Sequence, residues 1–170
     1  AKQLVAFVDS VRATTGVSKV DIVGHSQGGM LPNYYVKFLG GASKVHSIVG
    51  LAPTNHGTTL SGLVTLGNTV GQIFPLLMPF INLILGLAVP AFVDQQIGSP
   101  FMTQLNSLPD TVAGIDYTVI TTKYDEVVTP YTSAFLNGPG VNNITLQDQC
   151  ELDHSEHISL AFDHIALQEV

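Results

Sequence analysis

The sequence predicts an α/β fold, a mostly parallel sheet with helices on its faces. Three observations carry the prediction. Short β-branched apolar runs alternate with segments whose apolar residues recur at helical spacing. One strand-to-helix junction reads Gly24-His25-Ser26-Gln27-Gly28, a G-x-S-x-G pattern followed by Gly29. A long uncharged stretch then interrupts the alternation once, after the second run.

From Ala1 to about Thr14, Leu4, Phe7, Val8 and Val11 repeat with the period of a helix, and Gly16 is a plausible stop. Lys19 to Val23 is the first strand, and Leu31, Tyr34, Tyr35 and Phe38 mark a helix that ends at Gly40-Gly41. Val45 to Leu51 is a second strand, closed by Ala52-Pro53. Tyr117 to Thr122 is a third and Asn143 to Leu146 a fourth. Helical patterning returns from about Ile158 to Val170.

Between Lys44 and Asp94 no residue is Asp, Glu, Lys or Arg. Ile73 to Val93 is long and apolar enough to span a bilayer. Pro75, Pro79 and Pro90, with Asn82 and Gly86, break it, and no basic flank orients it. A membrane span and a buried core helix pair therefore rank below a mobile apolar cap, expected at about residues 58–100. An insertion after the second strand overhangs the strand-to-helix turn at Ser26.

The chain has 170 residues, enough for one domain with a sizeable core. Hydrophobic residues make up 45% and charged residues 11%, with net charge −7 and only six Lys and Arg. That balance excludes a nucleic-acid footprint and fits neutral, apolar substrates. The start, Ala1-Lys2-Gln3, carries neither Met nor a leader, so a processed chain or a piece of a longer one is expected. The single cysteine, Cys150, lies among Asp148, Gln149 and Glu151, a polar setting for a thiol.

The junction at Ser26 has the strand, sharp turn and helix of a nucleophile elbow. Gly24 and Gly28 are expected to remove side chains that would collide with the turn. The Gln27 amide, at a helix N-terminus, points to a developing oxyanion. A serine nucleophile needs a base, and the base an orienting acid. Asp125 follows the third strand and suits the acid. Glu126 is its neighbour and rival, expected to point elsewhere, and Asp116 lies at the wrong end of that strand. The base belongs in the loop after the last strand, where spacing leaves His154 and His157 open and puts His164 in the terminal helix. No histidine spacing matches a zinc signature, so no metal is expected. His25 is expected to pack under the elbow. Asn55-His56-Gly57-Thr58-Thr59 reads as a hinge, a pocket rim or a plain turn.

Four segments are familiar as a set. Val20 to Met30, Leu51 to Thr59, Thr122 to Pro130 and Glu156 to Asp163 resemble, in order, the elbow, the segment after the next strand, the acid loop and the histidine loop of secreted actinobacterial lipases of the α/β-hydrolase superfamily. The resemblance selects His157 over His154. It implies a catalytic domain over residues 1–170 that is the C-terminal part of a longer one, secretion, a lipid–water interface and no cofactor. It also implies hydrolysis of carboxylic esters, especially acylglycerols. Family members carry further strands before the first helix, with a His-Gly turn that supplies a second oxyanion donor. The resemblance also gives Cys150 an upstream cysteine partner. The alternatives are an acyltransferase or peptidase of the same fold, and a non-catalytic fragment that binds apolar surfaces.

Overall fold

A computed structural model of the chain describes residues 2–59 and 91–170. Helix α1 (Lys2–Thr15) leads through Gly16 to β1 (Val20–His25), followed by α2 (Gln27–Phe38) and β2 (Val45–Leu51). Helix α3 (Pro100–Leu105) precedes β3 (Asp116–Thr121) and β4 (Val141–Thr145), after which come the short helices α4 (Leu146–Gln149) and α5 (His164–Gln168). The four strands form one sheet in the order β1-β2-β3-β4, and every pairing is parallel.

The register sorts the buried side chains onto two faces, both covered. Ile48 lies opposite Tyr117, and Tyr117 opposite Val141; this row packs with Val8 of α1 and Tyr35 and Val36 of α2. Leu51, Ile120 and Ile144 form another row, packed with Leu146, Leu160 and Ala166 of the C-terminal segment. Met30 of α2 meets Met102 and Leu105 of α3 in a third cluster. With both rows covered, the four C-terminal strand ends are fixed side by side. That is the edge where open parallel sheets place their ligands.

The C-terminal helical pattern breaks into pieces. A 3-10 turn covers Ser159–Phe162 and α5 starts only at His164. Asp163 is the reason: its carboxylate accepts the amides of Ile165 and Ala166, which caps a new helix rather than continuing the old one. The expected cap falls largely on residues 60–90, outside the described residues. Its described ends meet. Thr58 bridges Gln96, with Thr58 N–H donating to Gln95 at 2.9 Å and Ile97 N–H to Thr58 at 3.2 Å.

Among the described residues β1 pairs only with β2, so its other edge is open. An apolar groove runs between that edge and α1, lined by Leu4, Phe7, Val11, Ile22 and Val23. Phe7 and Val23 are 66% and 51% exposed there.

Candidate active site

Ser26 follows the last residue of β1 with φ 55 and ψ −126, a left-handed backbone that costs a non-glycine residue about 1–3 kcal/mol. The strain is held from two sides. Ser26 N–H donates to Leu51 at 2.8 Å, and its carbonyl accepts from Gly29 at 2.9 Å and Met30 at 3.3 Å. The glycines divide the work differently from the expectation. A Cβ on Gly24 would lie 2.1 Å from the Gly28 carbonyl oxygen, an impossible contact. A Cβ on Gly28 would meet nothing within 4 Å, so sterics do not require glycine there. The second crowded position is Gly29, whose Cβ would come within 2.8 Å of the Gly24 carbonyl oxygen and 3.1 Å of Gly50 and Pro53. Pro32 contributes to the closeness. It offers no N–H to the Gly28 carbonyl four residues earlier, and that carbonyl packs against Gly24 instead.

Asp125 lies in the turn after β3. Its Oδ1 accepts the amides of Val127 at 2.9 Å and Val128 at 2.7 Å, which fixes the carboxylate to its own loop. Its Oδ2 is 2.9 Å from Nδ1 of His157, and the two side chains are 1% and 5% exposed. A carboxylate only accepts from such a partner, so His157 carries a proton on Nδ1, which leaves Nε2 outside this bond. The structure therefore brings together the predicted acid and one of the two histidines that spacing left open. His154 is exposed and its ring lies tilted by 54° against Tyr124 with centroids 4.8 Å apart, and His164 is exposed at the start of α5. Among the described residues no cluster of metal-ligating side chains occurs.

His157 also meets the elbow. His25 Nε2 lies 2.8 Å from the His157 carbonyl oxygen, with ring centroids 4.8 Å apart. Ser26, the next residue in the chain, makes no side-chain hydrogen bond to a described residue. The Gln27 and Gly28 amides open α2 and have no acceptor among the described residues, while those of Gly29 and Met30 donate to the Ser26 carbonyl. Glu126 does not point away from the histidine loop: its Oε2 is 3.4 Å from the His157 amide.

Several supporting residues escape a motif search. Gln147 is buried and joins the acid loop to the histidine loop: it accepts from Lys123 N–H at 2.8 Å and donates to Thr122 Oγ1 at 2.9 Å and to the Asp153 carbonyl at 3.1 Å. Glu156 accepts Ile158 N–H at 2.8 Å and Ser159 N–H at 3.0 Å, and Ser159 Oγ accepts Glu156 N–H at 2.8 Å in return. The Ile158 amide, foremost, holds the Glu156 carboxyl below its usual range, against the opposing effect of burial. The polar run after β2 is no plain turn. Asn55 accepts from Asn33 at 2.7 Å and donates to the Ala134 carbonyl at 2.7 Å, and Thr58 Oγ1 donates to the Val127 carbonyl at 2.6 Å. The only sequence signal for this network was the density of Asn and Thr. His56 is spent on Ser133 and Asp110, both at 3.1 Å.

The profile of the family Lipase (class 2) matches residues 1–169. The chain belongs to the class 2 lipases. Solved lipases share its fold. Aspergillus fumigatus lipase B superposes with a TM-score of 0.69 at 19% identity, over 94% of this chain and 37% of that one. Bacillus licheniformis lipase BlEst2 in its mature form gives 0.58 at 19% identity, over 84% and 62%. Paleococcus ferrophilus monoacylglycerol lipase gives 0.52 at 17%, over 92% and 66%. This class 2 lipase chain thus spans less than two thirds of the length of the first two, and an α/β-hydrolase-type sheet accounts for the likeness.

Proposed function

We propose that this lipase-family chain is the catalytic part of a serine hydrolase that cleaves carboxylic esters, acylglycerols among them. The observation that carries the reading is the buried Asp125–His157 pair, hydrogen-bonded to His25, whose neighbour in the chain is the strained serine at the end of β1. Ser26 attacks the ester carbonyl while His157 Nε2 takes its proton. Asp125 holds the His157 tautomer and stabilises the imidazolium. Gln27 N–H donates to the oxyanion at the N-terminus of α2. His157 returns the proton to the leaving alcohol, and the acyl group remains on Ser26. Water, deprotonated by His157, then attacks the acyl-enzyme, and His157 passes that proton to the Ser26 oxygen as the acid leaves. These steps use protein groups and water alone.

The uncharged stretch that includes residues 60–90 favours fatty acyl groups over peptides, a cap at about residues 58–100 over the site, and work at a lipid–water interface; the resemblance to secreted lipases puts that work outside the cell. The open edge of β1 and the groove beside it suit a further N-terminal segment that extends the sheet, supplies a second oxyanion donor and pairs a cysteine with Cys150, a free thiol here. The decisive test is turnover of p-nitrophenyl butyrate by the full chain and its Ser26→Ala variant. Loss of several orders of magnitude in kcat is expected. Equal turnover by the two proteins refutes the assignment, and a protein with no turnover that still binds apolar probes supports the fragment reading.

A further inference from the structure

We infer that His25 is a positioning residue that ties the base to the nucleophile's strand; the inference rests on the catalytic reading of Ser26 and His157. A carbonyl oxygen only accepts, so the 2.8 Å contact fixes the proton of His25 on Nε2, donated to the backbone of His157. Among the described residues His157 then has three hydrogen-bonded attachments. Asp125 holds Nδ1 at 2.9 Å and so sets the ring's rotation about its own axis. The backbone is held by His25 at 2.8 Å and by Glu126 at 3.4 Å, and the latter is at the long limit of a hydrogen bond. Asp125 belongs to the same loop system as the base, linked through Gln147 and the contact of Thr122 Oγ1 with the Ser155 carbonyl at 2.6 Å. Acid and base therefore form one unit after β3 and β4. His25 is the residue that joins this unit to β1, and the serine is its direct neighbour in the chain. The bond sets the distance between Nε2 of His157 and the Ser26 hydroxyl without touching substrate.

This role separates the donor from the ring, and two substitutions isolate them. His25→Phe keeps an aromatic ring against His157 and loses the N–H. His25→Gln loses the ring and keeps an N–H at similar reach. For a soluble ester and the full chain, His25→Phe is expected to lower kcat by ~10- to 100-fold, the scale of a misplaced reacting pair, with KM changed by less than about threefold. His25→Gln is expected to recover kcat to within about threefold of wild type. The thermal midpoint of His25→Phe should fall by no more than ~8 °C, the scale of one hydrogen bond, which leaves the protein folded in the assay. The second readout is the proton NMR signal of His157 Nδ1–H in its bond to Asp125. It should stay sharp in wild type, His25→Gln and Ser26→Ala, and broaden in His25→Phe. Wild-type kcat and an unchanged signal in His25→Phe overturn the inference. So does a His25→Gln variant as impaired as His25→Phe, because the ring and not the donor then matters. Undiminished turnover by Ser26→Ala would instead overturn the catalytic reading, and the NMR comparison would still report whether His25 tethers the loop.

Discussion

Asp125→Asn tests the site through its hydrogen-bond polarity, with almost no change in shape. Asp125 serves donors on both oxygens: two backbone amides on Oδ1 and His157 on Oδ2. An asparagine has one oxygen and one NH2 group, so it must choose. With its NH2 group toward Val127 and Val128, one part-buried and one buried amide face a donor and lose their acceptor, at up to about 1–3 kcal/mol each. With its oxygen there, both backbone bonds survive and the NH2 group faces His157 Nδ1. The second arrangement wins by up to ~2–6 kcal/mol before any strain. His157 must then accept at Nδ1 and move its proton to Nε2, where the serine needs a base. The same exchange in a serine protease triad costs ~10⁴ in kcat, equivalent to ~5.5 kcal/mol of transition-state stabilisation. Stability should change far less, by ~1–2 kcal/mol, because one charged hydrogen bond becomes a neutral one and packing is kept. Steady-state kinetics on p-nitrophenyl butyrate, with the urea midpoint of each protein, separate the two effects. A folded Asp125→Asn protein with kcat within about tenfold of wild type would refute the tautomer argument and the role of His157.

The elbow glycines should respond oppositely. Gly24→Ala meets a carbonyl oxygen that cannot retreat and should cost ~3 kcal/mol or more, whereas Gly28→Ala, on α2 with open space, should be neutral or stabilise by up to ~1 kcal/mol; thermal midpoints of the pair decide it. Asn55→Ala strands a donor on Asn33 and an acceptor on Ala134 in a buried setting, so a loss of ~3 kcal/mol is expected from chemical denaturation. Glu156 has its carboxyl held low in the folded state, so its stabilisation is complete above its ordinary value of 4.5 and is lost as pH falls through the lower folded value. Glu156→Gln should therefore lower stability near neutrality and flatten its decline between about pH 6 and about pH 3; a decline as steep as wild type's argues against that role.

The fold was legible because parallel strands buried on both faces leave dense β-branched runs. Val45–Leu51 is such a run, and its predicted and observed limits coincide. Where a strand is half exposed the signal fades: Val141 and Asn142 belong to β4, yet only the apolar end of that strand stands out in sequence. Ser26 and Asp125 were legible because each follows a strand in a fixed chain order. His157 was not separable from His154 by spacing, since both are loop residues; the resemblance selected His157, and in the structure it is His157 that pairs with Asp125. Gln147, Glu126 and Asn55 act through hydrogen bonds between separate segments of the chain, which leave no periodic trace. The role of Gly28 was misread for a related reason. A motif shows that glycine is present, and only the backbone path shows that Gly24 and Gly29 are the crowded positions.

The bridge between Thr58 and Gln96 bears on how this scaffold can vary. It closes a loop at its base, and Thr58 anchors that base to the acid loop at Val127. For a closed flexible loop the entropy of closure grows only logarithmically, so doubling its length costs about 0.6 kcal/mol. The bridge therefore fixes both ends of the stretch between Thr58 and Gln96, and ties one of them to the loop of Asp125, whatever the length of that stretch.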